Sequence, residues 1–373
     1  MNVQLASEFL SSHKNISTPF LLMDLNILRR TYKNLKNLLS GVEVFYAMKA
    51  NDHPVICKTL LEEKASFEVS SLNETRKLVD LGVNPENIFC LNPIKSPEFL
   101  SWMSEKKIRV LAIDSYDEVD KIAKYAPTSK VVVRITVPES GSTFPLGNRY
   151  GVSLEDAVKM LFYAFKRGLQ PYGITFHVGS QNPNYESWVT ALSLCRKVYD
   201  DLIKQHDLKL DLISLGGGVP IKYREPIPSV TEMARIILKG KKELFGDVPN
   251  LRFTIEPGRG IVGTAGIMVT TVVGRSERGG EQWLFIDCGV YNGLMEITGG
   301  FKLNLVSLRK GKNVPTTIAG PSCDSFDVVA EHIDFPVTGI GETVYVLDVG
   351  CYSTVFASEF NGFEIPKTYF VNE

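Results

Sequence analysis

Short apolar runs alternate with amphipathic segments along residues 40–256. The apolar runs are short, and several are rich in β-branched and aromatic residues, as expected of buried strands. Eight such runs are Val42–Met48, Ser66–Ser70, Asn87–Leu91, Ile108–Ile113, Lys130–Val137, Tyr172–His177, Leu210–Leu215 and Leu251–Ile255. The pattern therefore predicts eight strands that are separated by helices.

Helical periodicity lies between these runs. From Trp188 to Ile203, apolar residues recur at three- and four-residue spacing, which marks one face of a helix over Tyr185–His206. Four further helical segments each open with serine, a preferred N-cap residue. They are Ser71–Leu81, Ser115–Tyr125, Ser153–Gly168 and Ser229–Phe245. The alternation favours an α/β protein with a parallel (β/α)8 barrel over residues 25–258. A doubly wound open sheet is the alternative, because periodicity alone cannot close a sheet.

The pattern changes from about residue 260. Strand-like segments follow one another there without long helices between them, and glycine-rich turns separate them. These segments are Ile267–Gly274, Gln282–Asp287, Thr316–Ala319, Thr343–Val349 and Thr368–Val371. We predict a mostly antiparallel β domain of residues 259–373, joined by residues 1–24, which contain a strand at Thr18–Asp24.

Composition narrows the class of protein. The 373 residues suggest about two domains, and 44% hydrophobic with 22% charged residues excludes a disordered chain. A formal net charge of −1 argues against a nucleic-acid partner. The six cysteines include no C-x-x-C pair, and we predict no metal site. Without a signal sequence or an apolar run of about 18 residues, we expect a cytoplasmic protein that makes no membrane contact.

Polar residues fall where the predicted strands end. In β/α barrels, the carboxyl ends of the strands form the active-site face. The residues that meet this rule are Lys49, Glu68, Ser70, Asn92, Asp114, Arg134, His177, Gly216–Gly218 and Glu256–Arg259. No single placement is decisive, but their joint placement predicts a site at that end of the barrel.

Each of these residues also has a plainer interpretation. Lys49 is a nucleophilic amine if the strand end desolvates it, or a lysine that reaches solvent. Gly216–Gly218 binds an anion through backbone N–H groups, or forms a tight turn. Glu256 pairs with a protonated ring nitrogen and His177 stacks on a flat cofactor or acts as a base, or both are buried polar groups bonded to the backbone.

Seven ordered motifs together resemble one family. They are Tyr46–Asn51, Phe67–Ser71, Phe176–Ser180, Gly216–Gly218, Glu256–Arg259, Gly320–Asp324 and Ala357–Phe363. The pieces span nearly the whole chain and resemble the pyridoxal-phosphate (PLP) decarboxylases of fold type III, the alanine-racemase fold. The nearest branch is that of the ornithine, lysine and arginine decarboxylases of polyamine biosynthesis, and diaminopimelate decarboxylase is more distant.

The resemblance implies that PLP is the cofactor. Lys49 would carry it as a Schiff base, His177 would stack on the pyridine ring, and Glu256 would pair with the ring nitrogen. The other cofactor-binding residues implied are Glu68, Arg134, Ser180, Gly217, Gly218, Gly258, Arg259 and Tyr352. An ionised Glu256 favours a protonated ring, which delocalises the carbanion that forms when CO2 leaves.

The resemblance also implies how the reaction ends. Lys49, His177 and Cys323 would be catalytic, with Cys323 giving a proton to Cα. In this family a homodimer completes the active site, so a second subunit would supply Cys323, Asp324 and Tyr352. The loop Phe144–Gly151, which contains Gly147 and Asn148, resembles a lid that would exclude water.

Substrate binding departs from the family pattern. The basic-amino-acid decarboxylases place acidic residues at the positions that Gly299 and Gly300 occupy here. Asp324 and Glu296 remain as candidate ligands for the distal amine of a small amino-acid substrate. Two hypotheses follow: decarboxylation of a basic L-amino acid such as ornithine or lysine, or of a larger amino-acid-bearing intermediate, as in siderophore or peptide-antibiotic tailoring.

Two other functions fit less well. A non-catalytic relative that binds PLP and regulates a decarboxylase would need neither Lys49 nor Cys323, and both are present. A racemase of the same fold is disfavoured by Cys323 and Asp324, which lie in a decarboxylase-like context.

Overall fold

The structure is a computed structural model that describes residues 1–146 and 149–373. It divides into two compact units. The barrel unit comprises residues 32–220 and 228–258, and the β unit comprises residues 1–31, 221–227 and 259–373.

The α-helices of the described residues, in chain order, are α1 (Val3–Ser12), α2 (Leu25–Leu38), α3 (Pro54–Glu62), α4 (Leu72–Asp80), α5 (Pro97–Glu105), α6 (Tyr116–Tyr125), α7 (Leu154–Lys166), α8 (Glu186–His206), α9 (Val230–Phe245) and α10 (Arg259–Val262). The first strand along the chain, β1 (Phe20–Asp24), is not part of the barrel, and the eight barrel strands come after it. They are β2 (Glu43–Ala47), β3 (Ser66–Glu68), β4 (Ile88–Cys90), β5 (Val110–Ile113), β6 (Lys130–Arg134), β7 (Gln170–Thr175), β8 (Leu212–Ser214) and β9 (Arg252–Ile255).

Strands β2 to β9 form a closed parallel barrel. Each strand pairs with the next along the chain, and β9 pairs with β2 through Glu43–Thr254 and Val44–Ile255. The predicted barrel is therefore confirmed, and the open-sheet alternative is wrong. Its interior is a packed apolar core, in which Phe45 and Phe89 stack with ring centroids 4.1 Å apart.

The serines predicted to start helices cap them in the structure. Ser71, Ser115, Ser153 and Ser229 each accept a hydrogen bond from the backbone N–H three residues later, which satisfies one of the unpaired donors of the first turn. The longest helix, α8, is anchored by the fully buried Trp188, whose indole N–H donates to the carbonyl of Leu215 at 3.2 Å. This bond fixes the helix against the end of β8, where the glycine loop begins.

The β unit contains an eight-stranded, mostly antiparallel sheet, as predicted. Its strands after the barrel are β10 (Gly266–Arg278), β11 (Glu281–Ile286), β12 (Asn304–Val306), β13 (Asn313–Ala319), β14 (Val328–Pro336), β15 (Thr343–Leu347) and β16 (Lys367–Val371). The main path runs β12-β15-β10-β11-β13-β14, while β1 pairs with β10 and β16. Only β11–β13 and β1–β16 are parallel pairs in this sheet.

Four elements that lie wholly in this unit were missed by the sequence pattern: α1, α10, β12 and β14. Strand β14 lies at the end of the main path, has irregular register and carries the exposed Glu331, His332 and Asp334. Polar residues on an edge strand weaken the apolar alternation by which a strand is recognised.

The division into units differs from the predicted domain bounds in two places. Residues 25–31 and 221–227 were assigned to the barrel domain but lie in the β unit. Contacts within that unit explain this: Arg29 donates to the carbonyl of Asn372 at 2.9 Å, and Tyr223 lies 2.6 Å from the guanidinium of Arg259. Across residues 1–146 and 149–373, no helix combines the length and the apolarity of a membrane span.

Candidate active site

The barrel places the predicted polar residues at the carboxyl ends of its strands. Lys49 lies in a 3-10 turn directly after β2, and Glu68 and Arg134 are the last residues of β3 and β6. His177 follows β7 by two residues, and Glu256 comes directly after β9. Because parallel strands of a closed barrel end on one face, side chains that are distant in sequence meet there.

The Glu256 carboxylate is the electrostatic centre of this group. Burial and, to a smaller extent, the neighbouring Glu68 carboxylate raise the pKa of the Glu256 carboxyl to about 7. The positive charges of Lys49 and Arg134 act in the opposite direction. One carboxylate oxygen, Oε1, accepts a hydrogen bond from the hydroxyl of Ser214. A cation within hydrogen-bond distance would favour the ionised carboxylate.

His177 is held as a neutral imidazole. Its Nδ1 accepts the backbone N–H of Gly179 at 3.0 Å, so the ring proton lies on Nε2. Burial lowers the pKa of His177 well below its usual value, and the positive charges of Lys49 and Arg134 lower it further. A ring with so low a pKa is a weak base at neutral pH. The geometry therefore favours the stacking role that was expected over the role of a base.

The glycine loop 216–218 requires glycine at each position. Gly216 and Gly218 have φ angles of +62° and +99°, a region that other residues rarely adopt. A Cβ on Gly216 would lie 1.9 Å from the carbonyl oxygen of Phe176, and one on Gly217 would lie 3.0 Å from Nε2 of His177. The backbone N–H of Gly216 is directed to Ser214 Oγ at 3.3 Å.

Lys49 differs from the expectation in one respect. The strand that precedes it is buried, but Lys49 itself is exposed. The barrel's own side chains therefore do not supply the desolvation that was inferred from the apolar strand. Its electrostatic neighbours are those expected, because its charge acts on Glu256, His177 and Glu74.

Two further predicted residues lie on loops at this end of the barrel. Ser180 forms an isolated antiparallel bridge with Phe144, with Ser180 N–H donating to Phe144 at 2.9 Å. Gly258 follows Pro257, whose carbonyl accepts the N–H of Ala47 at 3.2 Å. The predicted lid includes Gly147 and Asn148, which lie outside the described residues, so the lid stays a prediction.

In the β unit, two predicted site residues pair with each other. The guanidinium of Arg259 makes two bonds of 2.5 Å to the carboxylate oxygens of Glu296. Arg259 is 4% exposed and also packs 4.3 Å from the ring centroid of Phe301 and 5.0 Å from that of Tyr352. Both oxygens of Glu296 therefore already accept a hydrogen bond from Arg259, and the role of Glu296 as a ligand of the distal amine stays a prediction.

Cys323 and Asp324 lie on one loop between β13 and β14. Cys323 is exposed, and the side-chain amide of Asn361 is 3.7 Å from its sulfur. Asp324 accepts the N–H of Phe326 at 2.8 Å, and its bond to Tyr291 contributes, after burial, to a raised pKa of that tyrosine. Asp324 is thus the predicted amine ligand that is not paired with an arginine.

Sequence reasoning missed Asp327, which shapes this loop. The carboxylate of Asp327 is 2% exposed and accepts the N–H groups of Val290 at 2.7 Å and Ser322 at 2.9 Å. It fills the space beside Gly289 and Gly320, where a Cβ would lie 2.0 Å and 2.2 Å from its Oδ1. Its spacing of three residues from Asp324 was the only signal in the sequence. Ser214 and Tyr223 were missed for a similar reason, since neither stands out from its neighbours.

The barrel residues fit a phosphorylated cofactor with a carbonyl group and a ring nitrogen. They supply an amine, a neutral flat ring, a carboxylate and a glycine loop whose backbone approaches closely. Oε2 of Glu68 is also buried with no hydrogen-bond partner in the described part of the chain, so a bound group could satisfy it. Among residues 1–146 and 149–373, no cluster of three His, Cys, Asp or Glu could hold a metal ion.

Comparison with known proteins agrees with this chemistry. The family model of the pyridoxal-binding domain of pyridoxal-dependent decarboxylases matches residues 25–263. A lysine/ornithine decarboxylase of Selenomonas ruminantium is 34% identical over 359 residues, which cover 95% of this chain and 90% of the relative. The crystal structure of SrLDC with PLP and cadaverine matches at a TM-score of 0.90 and 33% identity, over 98% of this chain and 93% of that one. A lysine/ornithine decarboxylase from Vibrio vulnificus, solved with cadaverine, matches at 0.93 and 28% identity over 100% of both chains.

The raised pKa of Glu256 makes stability depend on pH. In the cofactor-free protein, the folded state binds a proton at Glu256 up to about pH 7, whereas the unfolded state loses it near its usual value of 4.5. The contribution of Glu256 to stability therefore falls as the pH rises through this window, by at most about 3 kcal/mol. In urea denaturation at pH 5 and pH 8, Glu256→Gln should lose less stability between the two pH values than the unmutated protein.

The control is Glu155→Gln, which changes a carboxylate that is 79% exposed on α7. This variant should keep the pH dependence of the unmutated protein. An equal loss of stability in the Glu256→Gln variant and the unmutated protein would contradict the assignment.

Proposed function

We propose that this chain, which belongs to the family of pyridoxal-dependent decarboxylases, removes the α-carboxylate of lysine or ornithine. It is a PLP-dependent carboxy-lyase. One observation carries the choice of substrate: the similarity to a lysine/ornithine decarboxylase extends over 95% of the chain. The solved relative from Vibrio vulnificus, which binds cadaverine, supports the same class of small, basic ligand.

The chain's own residues prepare the barrel for this chemistry. When bound, PLP supplies an electron-withdrawing ring that stabilises the negative charge left when CO2 departs. Lys49 would hold the cofactor through its amine, and the neutral ring of His177 would lie against the pyridine ring. Glu256 would keep a proton on the ring nitrogen, and the N–H groups of Gly217 and Gly218 would meet the phosphate.

Cys323 and Asp324 would act on the substrate. As predicted from the resemblance, the exposed Cys323 thiol would give a proton to Cα and Asp324 would bind the distal ammonium group. Since Glu296 is engaged by Arg259, we assign the amine to Asp324 alone. A single carboxylate gives a charge-assisted bond, worth about 1.5–3 kcal/mol.

A second candidate function rests on the small number of acidic groups that remain for the distal amine. Glu296 is engaged by Arg259, and glycines stand at 299 and 300, where the resemblance leads us to expect acidic residues. No atom lies within 4 Å of a Cβ placed on Gly300, so this stretch has open space beside it. This favours a larger amino-acid-bearing intermediate as the alternative substrate. The first substrate screen separates the two functions.

We also propose that the active protein is a cytoplasmic homodimer with shared active sites. Exposed Phe326, which is 74% accessible and lies next to the Cys323–Asp324 loop, suits burial against a second subunit. The six free cysteines, five of them buried, suit a reducing compartment.

The substrate prediction is tested by CO2 release from the PLP-loaded protein. The panel is ornithine, lysine, arginine, diaminopimelate and diaminobutyrate, and we expect turnover of lysine or ornithine. Lys49→Ala should abolish turnover and the visible absorbance of bound cofactor, whereas Lys58→Ala, at an exposed position on α3, should keep both. Cofactor absorbance without turnover of any panel member would contradict the proposal and favour the larger substrate.

The role of Asp324 predicts a change in substrate affinity. Asp324→Asn keeps the shape but removes the charge, so KM for lysine or ornithine should rise by about 10- to 100-fold. The control Asp334→Asn removes an exposed carboxylate on β14 and should leave KM unchanged. An unchanged KM in Asp324→Asn would assign the distal amine to another group.

Shared sites predict complementation between inactive variants. Mixed chains of Lys49→Ala and Cys323→Ala should regain about a quarter of the activity, because half of randomly assorted dimers are mixed and each has one intact site. A mixture of Lys49→Ala and Glu256→Gln should stay inactive, since both changes lie in the barrel unit. If the first mixture is inactive as well, the sites are not shared between subunits.

A further inference from the structure

Ser214 is a fully buried hydroxyl that the family motifs do not include. It is the last residue of β8, with 0% exposure. On one side its Oγ lies 3.1 Å from the hydroxyl of Thr175 at the end of β7. On the other side it contacts Oε1 of Glu256, which follows β9. The residue therefore joins three neighbouring strands at the active-site end of the barrel.

The contacts of Ser214 determine the direction of its hydrogen bonds. A serine hydroxyl has one hydrogen to donate and two lone pairs that accept. The hydroxyl of Thr175 donates to Oγ, and so does the backbone N–H of Gly216 at 3.3 Å. With both lone pairs used, the hydrogen of Ser214 is left for Glu256.

This direction favours the ionised form of Glu256 over the protonated form. An ionised carboxylate only accepts hydrogen bonds, so it matches a hydroxyl that donates. A carboxylic acid at this position can carry its proton only on Oε2, because a proton on Oε1 would have to be donated to an oxygen whose lone pairs are already occupied. Donation from Thr175 also polarises the Ser214 hydroxyl, which strengthens its bond to the carboxylate.

We propose that Ser214 is the positioning residue of the Glu256 carboxylate: it stabilises the ionised form of this group and links it to the backbone of the glycine loop. Ser214 thus contacts both Glu256, which would pair with the ring nitrogen, and the glycine loop 216–218, which would bind the phosphate. The inference rests on PLP binding to the barrel and is independent of which amino acid is the substrate.

The other charged groups that face Glu256 act on its pKa in opposite directions. Glu68, on β3, opposes ionisation, while Lys49 after β2 and Arg134 on β6 favour it. His177, after β7, is neutral and contributes no charge. The hydrogen bond from Ser214 acts in the same direction as these cations, because it lowers the pKa of Glu256.

The test compares Ser214→Ala with a hydroxyl deletion that breaks no hydrogen bond. Thr254, on β9, is 0% exposed, and its hydroxyl has no partner among the described residues. Thr254→Val therefore removes a buried hydroxyl at the same level of the barrel. In cofactor-free protein, infrared difference spectra against Glu256→Gln follow the titration of this carboxyl. Ser214→Ala should raise the titration midpoint by about one pH unit, while Thr254→Val should not move it.

In the loaded protein the same variants are compared by 15N NMR of ring-labelled PLP, without substrate. The ring nitrogen should be protonated in the unmutated protein and in Thr254→Val, and less so in Ser214→Ala. Thr175→Val, which removes one donor to Ser214 but keeps the contact to Glu256, should give a smaller shift in the same direction. Thr175→Val also tests the positioning role of Ser214 if Ser214→Ala does not fold.

An unchanged midpoint in Ser214→Ala, or an equal change in Thr254→Val, would overturn the positioning role. If Ser214→Ala does not fold, an unchanged midpoint in Thr175→Val would overturn it instead. Failure of PLP to bind the unmutated protein would overturn the premise. A loaded protein that releases no CO2 from the amino-acid panel would overturn only the proposed substrate.

Discussion

The desolvation of one carboxylate governs the chemistry of the barrel. Glu256 is placed where burial and Glu68 both oppose its charge, and such a group is stable as an anion only if other groups compensate. Within the chain, the negative charge of Glu256 is stabilised by Lys49, Arg134 and the Ser214 hydroxyl. A protonated ring nitrogen would complete this stabilisation, so the site is most stable electrostatically when its cofactor is bound.

Closure of the barrel makes this arrangement possible. Thr175, Ser214 and Glu256 come from three adjacent strands or strand ends, and their contact depends on the parallel register of β7, β8 and β9. The glycine loop then passes so close to Phe176 and His177 that no side chain fits. The indole N–H of Trp188 donates to the carbonyl of Leu215 and so fixes the residue that precedes the loop.

The β unit contributes a different kind of order. Arg259 and Glu296 form a buried pair whose two bonds and three aromatic neighbours fix the guanidinium in place. Breaking such a pair would leave an uncompensated buried charge, so each partner depends on the other. Asp327 holds the loop of Cys323 and Asp324 in a similar way, with a carboxylate that occupies the space two glycines leave free. Asp324, on the loop that Asp327 holds, is the acidic group that we propose for substrate recognition.

The sequence by itself determined the eight barrel strands, most of the β-unit strands and most of the candidate residues. Period-two and period-3.6 patterns are local properties, so the eight strands and the serine-capped helices were predictable, and the polar residues at strand ends pointed to one face. Only the tertiary structure decided that the sheet closes, that residues 25–31 and 221–227 lie with the β unit, and that Glu296 is the partner of Arg259. It also decided that Lys49 is exposed and that Ser214 meets Glu256. These facts depend on distances between residues far apart in the chain, such as the 42 positions between Ser214 and Glu256, and no local pattern records such distances.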